Sequence, residues 1–330
     1  MIGWSILATL VSFAITLVGV PLFIKFLKKA QVSGQEMQEE VQQHAKKAGT
    51  PTMGGVVFVI ISIIVALIFV LITGTSKSNF NVVWMVILLY AFVGAIDDFL
   101  KVYRHQNEGF KAWQKFLAQI LIGLLAYILI GFPTGQGNSI NFFGFSLHLG
   151  ILFIPFLIIW LVGWSNAVNL TDGIDGLAAG SVIISLLAFA IIALSISKWD
   201  VLIMIMSLIG ALLGFLVFNK KPAMIFMGDV GSLALGAFLA AISVVLRAEW
   251  TLLFIGAVYA IETLSTIIQV GYFKLTKGKR IFRMAPFHHH LELGGISGQG
   301  NGWSEWKIDK VFWGVTALAS AFAVIIYLVF

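Results

Sequence analysis

Ten apolar stretches, each long enough to cross roughly 30 Å of hydrocarbon, recur along this chain with short polar connections between them. They run over residues 4–26, 56–72, 80–96, 113–132, 149–168, 177–196, 201–218, 230–246, 252–273 and 311–330. Backbone facing lipid has to satisfy its own hydrogen bonds, and none of the stretches alternates as a barrel strand does, so the spacing predicts an all-α integral membrane protein of ten transmembrane helices. Composition agrees: 59% of residues are hydrophobic and 11% charged, against about 25% charged in ordinary globular chains. The first stretch carries no basic residue before Lys25 and no small-residue cleavage site, and is expected to stay as a helix. The chain has no cysteine, which excludes a disulfide scaffold, a thiol nucleophile and a thiolate metal site.

The net charge of +6 would suggest nucleic acid in a soluble chain, but here the placement of the charges decides. Of 21 Lys and Arg residues, 18 fall in or beside the connections after the first, third, seventh and ninth stretches; only Lys77, Lys198 and Arg247 lie on the other side. The positive-inside rule therefore puts both termini outside and the basic connections in the cytoplasm. No nucleic-acid partner is expected. No soluble insertion, low-complexity linker or fixed-period repeat interrupts the chain, so residues 1–330 are expected to form a single membrane domain.

Carboxylates are few and follow the same asymmetry. Glu36, Glu39, Glu40, Glu108, Glu305 and Asp309 are expected to solvate loops, and Glu262 lies inside a span. Asp97 and Asp98 end the third span, with Lys101 following. They read either as interfacial anchors or as site residues, and acids at a helix C-terminus oppose the dipole, a cost that a merely structural choice would avoid. In the fifth connection, Asn166, Asn169, Asp172, Gly173 and Asp175 cluster before a long apolar run; capping explains one acid but not a second on the same helix face. In the seventh, Asn219, Lys220, Lys221 and Phe226 precede Asp229, which stands near two glycines as an N-cap or as part of a phosphate, cation and ring site. Hard oxygen ligands of this kind suit Mg²⁺ or Mn²⁺.

The ninth connection contains His288, His289 and His290 followed by Glu292. Consecutive histidines diverge on a helix, so imidazoles directed at phosphates are favoured over a zinc site, with Lys279, Arg280 and Arg283 reinforcing an anion site. His44, His105 and His148 stand singly and receive no role.

Taken together, the segments 47–55, 97–101, 169–177, 226–232 and 286–292 resemble the signature segments of the phospho-N-acetylmuramoyl-pentapeptide transferase family, within the wider group of polyprenyl-phosphate sugar-1-phosphate transferases. The acidic segments mark the wider group, whereas the triple histidine and the Thr50–Gly55 segment favour the muramoyl branch. The stretch Gly294–Asn301 is longer than in shorter family members. The resemblance implies transfer of phospho-MurNAc-pentapeptide from UDP-MurNAc-pentapeptide to undecaprenyl phosphate at the cytoplasmic face of the bacterial plasma membrane, giving lipid I and UMP with Mg²⁺. It implies catalytic roles for Asp97, Asp98 and Asp229, with Asp229 on the metal. Lys47, Gly173, Asp175, Asn219 and Phe226 would hold the nucleotide, and Thr52, Lys101, Lys115, Asn169, Asp172 and the three histidines the sugar and phosphates. A homodimer is compatible with this.

Three other readings stay open on the residues alone. A non-catalytic scaffold or lipid-binding protein would explain the basic face through attraction to anionic lipid but leaves the acids unexplained. A GlcNAc-1-phosphate transferase would share the acids and differ in donor. A secondary transporter would place its ionisable groups mid-membrane in broken helices, where only Glu262 lies.

Overall fold

The computed structural model describes residues 1–29, 49–104, 109–131, 138–142 and 144–329. Lys47, Glu36, Glu39, Glu40, Glu108, His44 and His105 lie outside the described residues. Among those described, nine helices are long and apolar enough to cross a membrane, and one bent helix pair brings the number to ten. The long helices are α1 (Ile2–Lys29), α2 (Gly55–Thr73), α3 (Ser78–Arg104), α4 (Ala112–Gly131), α5 (Phe153–Thr171), α6 (Leu177–Ser195), α7 (Trp199–Asn219) and α8 (Gly228–Val245). After them come the bent pair α9 (Glu249–Ile255) and α10 (Ala257–Leu275), the short α11 (Phe287–Gly294), and α12 (Glu305–Val329).

The bundle is sorted as a membrane requires. In α1 the buried stripe includes Ser5, Ala8, Ser12 and Thr16, while Ile6, Leu10, Val18, Leu22 and Phe26 face outward. With lipid as apolar as leucine, helices gain from close packing of small side chains rather than from burying large ones. The same logic puts α8 at the centre. Rich in glycine, alanine and serine, it is buried along its whole length from Val230 to Val245 and touched by α2, α3, α5 and α6. Where α3 crosses the start of α8, a Cβ on Gly94 would collide with the Asp229 carbonyl, so only glycine lets the two backbones meet there. That crossing brings the end of α3, with Asp97 and Asp98, against Asp229.

Two expectations need correction. The stretch 252–273 is not one straight span: it breaks at Gly256, and α9 and α10 diverge by 75°. Glycine is a weak helix former, and here a Cβ would overlap the ring of Trp164 on α5, which fills the angle of the bend. The protein is also not wholly helical. Residues Ser139–Phe142 (β1) and Phe145–His148 (β2) form an antiparallel hairpin with Ser139 opposite His148. An isolated two-stranded hairpin is marginal in water; this one is docked, with the Asn141 N–H reaching Glu249 Oε2 at 3.4 Å.

After α10 the chain folds back along it. Gln269 Oε1 accepts from the N–H groups of Ile281 and Phe282, both at 3.0 Å, and its Nε2 donates to the Phe282 carbonyl at 3.1 Å. Two turns nearer the bend, Glu262 accepts from the His288 N–H at 3.2 Å. These two polar side chains, seven positions apart on one helix face, lay α11 beside the turn between α5 and α6.

Candidate active site

Five charged side chains from three helices converge at the start of α8. Lys101 Nζ lies 2.7 Å from Asp97 Oδ2 and 3.2 Å from Asp229 Oδ2, and Lys115 Nζ lies 2.6 Å from Asp229 Oδ2 and 3.8 Å from Asp97 Oδ2. Asn169 donates to Asp229 Oδ1 at 2.9 Å and to Ser232 Oγ at 2.8 Å. The Phe110 N–H donates to Asp97 Oδ1 at 2.7 Å, fixing the chain that enters α4. Asp98 is placed differently. It is fully buried, and its two oxygens accept from the N–H groups of Asp229 and Val230, each at 3.1 Å. Those are donors of the first turn of α8, which no carbonyl within the helix satisfies, and a carboxylate there also meets the positive end of the dipole. Asp97 and Asp98, adjacent in sequence, thus divide into one acid facing the lysines and one acid holding the helix.

Across from this cluster is the turn 172–176. Asp172 is raised well above the usual carboxylate range, first by withdrawal from water and then by the charges of Asp229, Asp98 and Asp175. Asp175 Oδ2 accepts from the Ala223 N–H at 3.0 Å, and its own N–H reaches Glu305 Oε2 at 3.4 Å, while Glu305 Oε1 pairs with Lys221 at 2.9 Å. Glu305 and Asp309, expected to solvate a loop, are instead buried, at 0% and 1% exposure. The signal was present: Glu305 and Asp309, at i and i+4 where an apolar helix opens, share a face. Asp172 and Asp175, expected on one face of the sixth helix, instead lie in the turn before it, since α6 starts at Leu177.

The turn between α7 and α8 is stitched to residues 51–55. The Phe226 N–H donates to the Pro51 carbonyl at 2.8 Å, and the N–H groups of Gly54 and Gly55 donate to Phe226 and Met227 carbonyls, both at 2.9 Å. Thr52 is buried against Gly228. Asn219 closes the turn from below, donating to the Ile225 carbonyl at 3.0 Å and leaving its buried Oδ1 without a partner among the described residues. Phe226, its backbone held on both sides, is half-buried.

The three histidines sit on α11 and diverge, as consecutive helical residues must. His288 is fully buried; its N–H and Nδ1 both bond Glu262, the ring contact at 3.0 Å, and its Nε2 abuts Gly173 so closely that a Cβ there would overlap it. His289 Nδ1 lies 2.7 Å from Glu292 Oε2. His290 spends both ring nitrogens inside its own loop: Nδ1 accepts from the Arg283 N–H at 3.1 Å, which leaves Nε2 to donate to the Ile296 carbonyl at 3.3 Å. On the opposite face of α11, Phe287 and Leu291 line an apolar cavity of about 240 Å³ with Val258, Ile261, Trp303 and Val315. One eight-residue helix thus presents the His288 imidazole to the polar turn and apolar side chains to a cavity beside α10 and α12.

Oxygen donors meet lysines at a membrane helix end, the equipment of a membrane-embedded transferase that handles phosphates, and residues 80–247 match the model of glycosyl transferase family 4. Residues 47–59 match the phospho-N-acetylmuramoyl-pentapeptide-transferase signature 1. Phospho-N-acetylmuramoyl-pentapeptide-transferases from Lactococcus lactis subsp. cremoris MG1363 and Streptococcus pneumoniae D39 are 57% and 56% identical to the chain, over 99% and 96% of both lengths. The one from Streptococcus gordonii Challis is 55% identical over 96% of both. The chain belongs to the phospho-N-acetylmuramoyl-pentapeptide transferase family.

Proposed function

We propose that residues 1–330 form one membrane transferase domain that moves phospho-MurNAc-pentapeptide from UDP-MurNAc-pentapeptide to undecaprenyl phosphate, yielding lipid I and UMP at the cytoplasmic face of the bacterial membrane. The observation that carries this reading is the convergence of Asp97 and Asp229 on the same two ammonium groups at one end of the bundle. Phosphoryl transfer needs in-line positioning and neutralisation of charge more than covalent help from the protein.

The donor set fits Mg²⁺. No cluster of three or more metal-ligating side chains occurs among the described residues, but Mg²⁺ characteristically takes one or two carboxylates and fills its sphere with water and substrate phosphate. Asp229, with Asp97 beside it, would hold the ion, which when bound neutralises charge on the pyrophosphate. Lys101 and Lys115, beside the two acids, would meet phosphate oxygens. Asp97 orients the acceptor phosphate, and Asp98 positions Asp229 by holding the first turn of α8. The uracil stacks on Phe226 and meets Asn219 Oδ1, which has no partner among the described residues, with Gly173 and Asp175 completing the nucleotide site; Lys47, outside the described residues, is assigned to it by the family resemblance alone. Thr52, Asn169 and Asp172 take the ribose and pyrophosphate side; His288 and His289 take the sugar phosphate, and His290 anchors their loop. The cavity beside α11 accepts part of the polyprenyl chain.

The broken span is the feature a transporter would also show, and Glu262 lies in it, but its carboxylate is committed to His288. Purified protein given radiolabelled UDP-MurNAc-pentapeptide, undecaprenyl phosphate and Mg²⁺ should form a labelled lipid and release UMP. Turnover of UDP-GlcNAc in its place would reassign the donor, and no turnover of either would remove the enzyme reading.

A further inference from the structure

Glu262 is a fully buried carboxylate in the part of α10 just past the bend, and the sequence motifs gave it no role. Its two oxygens face one residue. Oε1 accepts from the His288 backbone N–H at 3.2 Å, and Oε2 lies 3.0 Å from His288 Nδ1. An ionised carboxylate only accepts, so Nδ1 carries the proton and Nε2 is the nitrogen left over. That Nε2 is fully buried, has no hydrogen-bond partner among the described residues, and is directed at the Gly173 backbone next to Asp172. A side chain on Gly173 would displace it. The backbone bond fixes where α11 begins, the ring bond fixes which way the imidazole turns, and the two together leave one unsatisfied nitrogen at the polar turn.

We propose that Glu262 is the positioning residue of this site: it holds the His288 ring so that Nε2 is presented at the Asp172–Gly173 turn as an acceptor, to a hydroxyl O–H of the donor's sugar. This rests on the assignment of His288 to the donor. A carboxylate behind an imidazole sets its tautomer and orientation, and loss of such a partner in metal sites costs about 10–100-fold. Glutamine at 262 keeps the shape but offers one acceptor and one N–H donor, so the ring either loses its bond at Nδ1 or keeps it by moving its proton to Nε2.

The experiment is a double-substitution cycle on the full-length protein in detergent, with kcat and donor KM measured for Glu262→Gln, His288→Ala and the pair, and with thermal unfolding followed for each. Glu262→Gln should lower kcat about 10–100-fold with a smaller change in donor KM and little change in unfolding temperature. It should have no further effect once His288 is alanine. If the losses multiply instead, Glu262 acts elsewhere and the inference fails. If Glu262→Gln turns over normally while His288→Ala does not, the positioning role is wrong and the donor assignment stands; if neither matters, the donor assignment of His288 falls too. Should Glu262→Gln not fold, ¹⁵N-histidine spectra of the unsubstituted protein decide, with the His288 signals assigned by their loss in His288→Gln: a proton on Nε2 and none on Nδ1 overturns the proposal.

Discussion

The Lys115 ammonium lies 2.6 Å from Asp229 Oδ2, with Lys101 3.2 Å from the same oxygen. A carboxylate beside two lysines suits a site where the acid would hold a divalent ion and the lysines would meet phosphate oxygens. Asp229→Asn should therefore lower turnover by about 10²–10³-fold, the range seen when one preorganised electrostatic contact is removed. The variant should still fold, because Asn retains an acceptor for Lys115. Turnover near the unsubstituted rate at saturating Mg²⁺ would move the ion to Asp97.

Asp97 and Asp98 should separate in experiment although they are neighbours in sequence. Asp98 satisfies two N–H groups of α8, so Asp98→Ala leaves buried donors unpaired, at about 1–3 kcal/mol each, and should lower thermal stability and activity together. Asp97→Asn leaves those donors untouched. It should lower turnover with the unfolding temperature nearly unchanged. Thermal scans paired with turnover assays distinguish the two, and equal destabilisation by both substitutions would contradict the division.

Much of this site was legible because its chemistry is unusual for its place. Acids are scarce in this chain, so Asp97, Asp98, Asp172, Asp175 and Asp229 were visible wherever they interrupted apolar periodicity. What the sequence withheld was pairing across distance. Glu262 and His288 stand 26 positions apart, and Asp175 and Glu305 stand 130 apart. Neither pairing leaves a local pattern. The bend at Gly256 was hidden for a related reason: hydropathy continues through it, and only the Trp164 ring in the angle shows why the helix turns there. Gln269 looked like one polar residue in a span, and its three bonds to residues 281 and 282 appear only once the chain has folded back.

Phe226 should carry a measurable share of donor affinity. Its backbone is fixed by bonds to Pro51 and Gly54, so the half-buried ring needs little ordering to receive a base. Stacking of a base on an aromatic ring is worth about 1–3 kcal/mol, so Phe226→Ala should weaken UDP-donor binding by roughly one to two decades. Phe226→Tyr should restore most of it. Titration calorimetry with the donor, or with UMP, reads the change directly, and unaltered affinity in the alanine variant would place the uracil elsewhere.

The side of the membrane on which all this happens can be tested without first removing a native cysteine, because the chain has none. If the basic connections are cytoplasmic, single cysteines at Lys111 and Gly278 should be shielded from an impermeant maleimide in intact cells and become reactive on permeabilisation. Cysteines at Ser76 and Ser146 should react at once. Both outer positions belong to segments whose ends are described, with Ser146 exposed on β2, so failure to label would not come from burial. The reverse pattern would put Asp229 and its lysines outside the cell, where a cytoplasmic nucleotide-linked donor does not reach them.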